Sequence, residues 1–290
     1  MTGLLEVSSE VAEALSAGRP VVAFETSIVG QGLPRPHNLR AARECEAAVR
    51  DEGGVPATVA VLDGRIRVGL TDAELERIAA GATKISARDI GPAVVHRTVG
   101  ATTVAATMRA AAMAGIRFFA TGGIGGVHRD HPEDVSADLE ELGRSSVAVF
   151  CAGAKIILDL ALTLERLESL SVPVLGYGTD EFPAFYSRHS GCRVGSRVDG
   201  AKEVAEVLLA AWQAGARGIV VAVPPPAELD GAEEMAQRAV RELSGLSGSE
   251  VTPRLLARMA ELSGGRSVAL NVDLVVNNAR VAAQVARFSQ

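Results

Sequence analysis

Residues 117–126 read Arg117-Phe118-Phe119-Ala120-Thr121-Gly122-Gly123-Ile124-Gly125-Gly126, a short apolar run that breaks directly into glycines. Such a run followed by a turn signal marks a buried strand, because apolar side chains fill both faces of a covered sheet and glycine ends it. The same punctuation recurs: Val21–Phe24 gives way to Glu25-Thr26-Ser27, residues 147–151 to Ala152-Gly153-Ala154-Lys155, and 172–175 to Gly176-Tyr177-Gly178-Thr179-Asp180. Further strand-like runs lie at 57–62, 65–68 and 218–223. Helical periodicity covers 38–52, 72–80, 101–114, 137–143, 154–169, 201–214, 229–243, 252–263 and 271–287. Strands alternating with helices of this length predict βαβ units. The expected fold is therefore α/β, a largely parallel or mixed central sheet with helices on both faces in an α/β/α arrangement. Asp63-Gly64 between two β-rich runs predicts one antiparallel hairpin. No repeat, low-complexity tract or linker interrupts the chain, so residues 1–290 read as a single domain.

Composition narrows the function. Over 290 residues, 48% are apolar, 22% charged and 3% aromatic, with a formal net charge of −6. A phosphate-backbone binder needs concentrated positive charge and a base-stacking surface needs aromatics, so nucleic acid is not an expected partner. No run approaches the ~20 apolar residues that cross a bilayer. Residues 1–16 are acidic and amphipathic, unlike a secretory leader. Cys45, Cys151 and Cys192 are odd in number and lack CxxC spacing, which reads as reduced thiols in a cytoplasm. Among 29 basic residues only Lys84, Lys155 and Lys202 are lysines. An amine can shed its proton and attack a carbonyl carbon where a guanidinium cannot, so scarce lysines are candidates for chemistry. Lys202 opens an amphipathic helix with Glu206 one turn on and reads as a solvated pair.

In α/β sheets ligands collect where strands end and helices begin, so the four polar or glycine-rich strand ends predict a site. The glycines of 122–126 either cradle an anion on backbone N–H groups or make a tight turn. Lys155 is placed in the first turn of a helix, where the dipole disfavours an ammonium and favours a nucleophilic amine; the alternative is a snorkelling surface lysine. Glu25 is either a general acid or base or a cap on nearby N–H groups. The segment 128–138 gathers His128, Asp130, His131, Glu133, Asp134 and Asp138, hard donors suited to Mn²⁺ or Mg²⁺, or else a solvated acidic loop in which Asp134 caps the helix that follows.

At these residues the sequence resembles a known family. PATVAVLDGRIRVGL, GATTVAATM, FATGGIGGVHR, VSADLEEL, CAGAK, LDLALTLERLESLSVPVLGYGTDEFPAFYSR and NVDLVVNNA are similar, in order and over residues 10–285, to the pseudouridine-5′-phosphate glycosidases. The resemblance implies an α/β homotrimer that uses one Mn²⁺ per subunit. Its reaction is reversible cleavage of the C–C glycosidic bond of pseudouridine 5′-phosphate to uracil and ribose 5-phosphate. A C-glycoside has no leaving oxygen for a carboxylic acid to protonate; the family instead forms a Schiff base between a lysine and C1′ of the ring-opened ribose. By match of motif, Lys155 is that nucleophile, Glu25 the proton donor and Asp134 the metal ligand. Lys84, Val104 and Ser136, Ala137 and Asp138 are implied substrate contacts, with His128 and Asn277 also facing the site. Three departures stand out: Gln31 replaces a histidine and Arg35 an aromatic after Glu25, Ala87 replaces a cation, and the loop at 130–133 is short. They keep open a biosynthetic relative that joins ribose 5-phosphate to another carbon nucleophile. A non-catalytic metabolite-binding protein is disfavoured by the intact Glu25/Lys155 pair.

Overall fold

The computed structural model describes residues 3–129, 131–243 and 251–289. In chain order the strands are β1 (Leu5–Val7), β2 (Val21–Phe24), β3 (Val55–Leu62), β4 (Arg65–Val68), β5 (Thr83–Ile85), β6 (Gly100–Thr102), β7 (Phe118–Ala120), β8 (Val127–His128), β9 (His131–Val135), β10 (Ala148–Cys151), β11 (Leu158–Asp159), β12 (Val174–Tyr177), β13 (Ser196–Val198) and β14 (Ile219–Ala222). The helices are α1 (Ser9–Ser16), α2 (His37–Asp51), α3 (Asp72–Ala80), α4 (Ile90–Val95), α5 (Val104–Ala114), α6 (Ala137–Leu142), α7 (Leu160–Ser169), α8 (Ala201–Gln213), α9 (Ala232–Glu242), α10 (Val251–Leu262) and α11 (Arg266–Ala286).

The main sheet runs β1-β4-β3-β2-β7-β10-β14-β12-β13, with β6 paired to β3 and β5 to β6. From β3 through β2 to β13 every neighbour is parallel. The antiparallel excursion is β3–β4, turned by Asp63 and Gly64 at positive φ, together with β3–β6. Every residue of β2, β3, β7, β10 and β14 is buried, as continuous apolar runs between two helical layers require. On one face lies α11, packed on β2, β7 and β10 with α2 and α8 beside it; α5 covers the other face with α6. The three cysteines are unpaired.

The departures from the sequence reading are local. Residues 154–159 are not helical: Ala154 bridges Ile124, the Lys155 N–H donates to the Ile124 carbonyl at 3.2 Å, and Leu158 pairs with His128 in a small sheet ordered β11-β8-β9. The helix begins only at Leu160, with Asp159 in extended geometry accepting from the Leu162 N–H at 2.9 Å as its N-cap. Likewise 100–102 form strand β6, and α5 begins after Thr103, whose hydroxyl is its cap. Residues 83–85 form an unforeseen strand, β5, which carries Lys84.

Candidate active site

β2 and β7 are adjacent and parallel, yet the chain leaves them in opposite directions, β2 towards β3 and β7 towards β10. A crevice opens at the carboxyl ends of strands where the order reverses. Glu25 follows β2 and Thr121 follows β7 directly, so the two face each other across that crevice. The Thr121 hydroxyl donates to Glu25 Oε1 at 2.5 Å and the Ser27 hydroxyl to Oε2. Burial pushes the Glu25 carboxyl above its ordinary range; the charge of Lys155 and these two hydrogen bonds oppose the rise, and Asp138 adds to it. Glu25 is thus no helix cap: it is a half-buried acid held by two hydroxyls.

The crevice opens into a cavity of about 330 Å³ whose walls include Glu25, Lys84, Val104, His128, Asp134, Ser136, Ala137, Asp138 and Lys155. Of the site residues implied by the family resemblance, all line the cavity except Asn277, which is half-buried on α11 and absent from the lining, while His131 and Glu133 of the acidic segment are exposed on β9 and off the wall. Other asparagines of that helix do the work. Asn271 lines the cavity, and Asn278 donates to the Thr121 carbonyl at 2.8 Å, steadying the strand end. Lys155 reaches the cavity from the non-helical 154–159 segment, so the expected helix-dipole influence on it has no basis: the first turn of α7 starts five residues later. Lys84 comes from β5, its amine pushed below the usual lysine range by burial first and by the charge of Lys155 second. Burial likewise pushes the His128 imidazole down, against the pull of Asp134. Asp130 lies outside the described residues.

The glycines of the loop line the cavity and also answer a packing need. None of Gly122, Gly123, Gly125 and Gly126 has a positive φ; each is small because another segment presses on it. A Cβ on Gly123 would stand 2.5 Å from the Phe185 ring, and one on Gly125 would stand 2.2 Å from Ser136 Oγ and 2.8 Å from Asp138 Oδ2. Asp138 is the joint of this corner: Oδ1 accepts from the Ala105 N–H at 2.9 Å and Oδ2 from the Gly125 N–H at 2.8 Å, tying α5, α6 and the loop together. Gly125→Ala is expected to destabilise the protein by about 1–3 kcal/mol, the scale of an overpacked core, and to dislodge Asp138. Thermal unfolding and turnover measured together check this; wild-type values in both would mean the corner repacks freely.

The departures separate cleanly. Gln31 lines the cavity, its amide donating to the Ala82 carbonyl at 2.5 Å while its buried Oε1 has no hydrogen-bond partner among the described residues. It belongs to a π-helical turn, Ile28–Gly32, a rare distortion that concentrates at functional sites. Arg35 points away instead, its Nε donating to the Ala79 carbonyl at 3.2 Å and its guanidinium 3.9 Å from Glu76. Its exchange for an aromatic therefore alters a surface on α3 and leaves the cavity unchanged. Ala87 is buried and off the lining, but its neighbours Ser86 and Arg88 are on it. The Gly176–Asp180 strand end is also outside the site, two strands removed from β10. Sequence reasoning placed Ser27 and Thr121 in site-forming strand ends without giving either a role, and it missed Phe185, Asn271 and, from α10, Pro253 and Leu256. Thr121 had a usable signal, being the polar residue after its strand as Glu25 is after β2. Phe185, held at φ +61°, had none.

Comparison with known proteins gives a consistent picture. Residues 10–288 match the family described as indigoidine synthase A like protein. The chain is 52% identical to the pseudouridine-5′-phosphate glycosidase of Nocardioides sp., covering 98% of this chain and 96% of that protein. It is 48% identical to the one of Geobacillus kaustophilus over 99% of both chains. Among solved structures, the prealnumycin C-glycosynthase AlnA in complex with ribulose 5-phosphate superposes with a TM-score of 0.90 at 39% identity, covering 100% of this chain and 98% of that one. An indigoidine synthase A-like protein from Thermotoga maritima also gives 0.90, at 33% identity over 99% and 97% of the two chains. With the half-buried acid, the paired lysines and the cavity already in place, these likenesses leave one assignment: the chain is an enzyme of the pseudouridine-5′-phosphate glycosidase family.

Proposed function

We propose that this enzyme cleaves, and in reverse forms, the C–C glycosidic bond of pseudouridine 5′-phosphate, and that Lys155 and Glu25 carry the reaction. The observation that supports this most is the meeting of a carboxyl, which desolvation pushes above its ordinary range, with a lysine amine on the next strand end but one. Glu25 donates its proton to the ribose ring oxygen as the C1′–O4′ bond opens, and Nζ of Lys155 bonds to C1′, giving up a proton that returns to the Glu25 carboxylate. The lone pair of that nitrogen then expels C5 of the base, which takes up a proton and leaves as uracil. The C1′=N imine that remains is hydrolysed by one water, giving the aldehyde of ribose 5-phosphate and the free lysine. Lys84, with its charge in a partly desolvated setting, suits the phosphate or a sugar oxygen; Val104, Ser136, Ala137, His128 and Asp138 shape the rest of the substrate site.

The donors present suit a hard cation of limited protein ligation. Asp134 lies on the cavity wall with His128 close by, and no cluster of three His, Cys, Asp or Glu occurs among the described residues. One carboxylate with waters and substrate oxygens is how small divalent ions that keep their hydration are held. Mn²⁺ on Asp134, one per subunit, would supply positive charge to substrate oxygens. Asp134→Ala is expected to raise the Mn²⁺ concentration needed for half-maximal rate about tenfold or more. A metal titration reads this directly, and an unchanged requirement would remove Asp134 from the metal site.

The deciding assay is uracil release from pseudouridine 5′-phosphate, with Mn²⁺ and with chelator. Metal-dependent release is the expected result. Folded, metal-loaded protein that releases nothing would favour the second reading, a C-glycoside synthase. Gln31, at the position of a histidine, and the likeness to a C-glycosynthase at 39% identity favour that reading. It is tested by offering ribose 5-phosphate with carbon nucleophiles other than uracil.

A further inference from the structure

We infer that Arg129 is a positioning residue for Lys155, fixing the loop that carries the amine by clamping its backbone to helix α9. The inference rests on Lys155 being the reacting amine. Arg129 follows β8 directly, and β8 pairs antiparallel with β11 through His128 and Leu158. Its guanidinium turns away from the cavity to the back of the Lys155 loop. There Nε donates to the Leu158 carbonyl at 3.0 Å and Nη2 to the Ile156 carbonyl at 2.6 Å. The remaining N–H groups form a two-point pair with Glu233 in the first turn of α9, at 2.6 and 3.1 Å. Gln237, one turn on, donates to the same carboxylate at 2.9 Å.

The need for such a clamp follows from the fold. The chain between β10 and α7 is neither helix nor long strand: Lys155 itself is tied by its N–H to the Ile124 carbonyl and by its carbonyl to the Leu158 N–H, and the Arg129 fork takes the carbonyls of Ile156 and Leu158 that follow it. Ile156, Ile157 and Leu158 are 1%, 1% and 2% exposed, and buried carbonyls without a donor are costly. A guanidinium fork can serve two carbonyls and a carboxylate in one plane; an ammonium is a point donor and cannot. The first-turn position of Glu233 sets its charge against the positive end of α9, and the Arg129 bond holds its carboxyl below the usual range. The neighbouring helix α10 contributes Pro253 and Leu256 to the cavity wall, so this corner of the structure meets the site from two sides.

The test compares Arg129→Ala, Arg129→Lys and Glu233→Gln with wild type in steady-state turnover of pseudouridine 5′-phosphate and in borohydride trapping with ribose 5-phosphate, circular dichroism reporting the folded fraction. Misplacing a reacting group by about 1 Å costs about 10²-fold, so kcat of both Arg129 variants should fall on that scale with KM little changed. Glu233→Gln should fall less. Added guanidinium should restore part of kcat to Arg129→Ala, and the rate of trapping at Lys155 should fall and recover in parallel. Wild-type kcat in Arg129→Ala overturns the inference; so does a loss that follows the folded fraction and that guanidinium leaves unrepaired. If Arg129→Ala does not fold, Arg129→Lys and Glu233→Gln decide by the same split of kcat from KM. Wild-type enzyme that turns over without any trapped adduct refutes the covalent reading by itself, and the kcat loss and its rescue then still decide whether Arg129 orders this loop.

Discussion

Lys155→Arg is expected to be as inactive as Lys155→Ala, each losing on the order of 10⁴–10⁶-fold in turnover, the scale on which a covalent nucleophile is missed. Arginine keeps the positive charge and nearly the reach, but it stays protonated and cannot condense with a carbonyl carbon. The comparison therefore separates covalent chemistry from charge. A lysine that merely held the phosphate would be replaced by arginine at modest cost. Both variants should keep the fold, because Ile156, Ile157 and Leu158 anchor the loop in the core without the lysine head group. Chromatographic detection of uracil gives the rate, and mass spectrometry after borohydride gives the adduct in wild type only. Turnover in Lys155→Arg above about a hundredth of wild type would be incompatible with an imine at this residue.

Glu25→Gln removes the proton while keeping the shape, and the expected loss in kcat is about 10²–10⁴-fold, typical of a general acid. Its second expected effect is on stability, in the opposite direction. Burial raises the folded-state carboxyl above its ordinary value of 4.5, so the folded protein prefers the protonated form. The stability that this group contributes is fully present below pH 4.5 and is lost as pH rises through the raised value. A neutral glutamine has no such dependence. At neutral pH Glu25→Gln should consequently unfold at a higher temperature than wild type, with the difference shrinking on acidification towards the ordinary carboxyl range. An inactive but more stable variant is the signature of a desolvated acid maintained for chemistry. A Glu25→Gln protein that is less stable than wild type at neutral pH would show instead that the carboxylate is held for its bonds to Ser27 and Thr121. The same desolvation makes the rate limb that depends on Glu25 decline at a higher pH than an exposed glutamate would allow.

The individual residues show why some of the site was legible and some was not. Glu25 and Lys155 could be read as candidates because Glu25 follows its apolar strand directly and Lys155 comes four residues after its own, and parallel strands in a covered sheet place their ends together whatever the details. Gln31 and Arg35 look equivalent in sequence, both departures four residues apart, yet the π-helical turn aims one into the cavity and leaves the other on α3. Asn277 and Asn278 are adjacent, and only the rotation of α11 against β7 decides which of them meets the Thr121 carbonyl. Periodicity also failed where burial is uniform. The run Ile156-Ile157-Leu158 fits a helix pattern, but it is a buried turn leading into the short strand β11, and apolar pattern alone cannot tell these apart.

By itself the sequence determined the α/β class, the alternation of strand and helix and the antiparallel turn at Asp63-Gly64, and it made Glu25 and Lys155 candidates whose roles only the family resemblance singled out. These follow from local rules: apolar runs with period, turn residues at strand ends, and scarce amines against abundant guanidiniums. Tertiary structure alone decided the rest. It put the switch point between β2 and β7, where Glu25 meets Thr121. It gave the glycines their reason in the side chains of Phe185, Ser136 and Asp138, and it set Arg129 behind Lys155. Each of these joins residues distant in sequence through packing, and packing depends on which surfaces the folded chain brings within a few ångströms, a quantity that no local pattern carries.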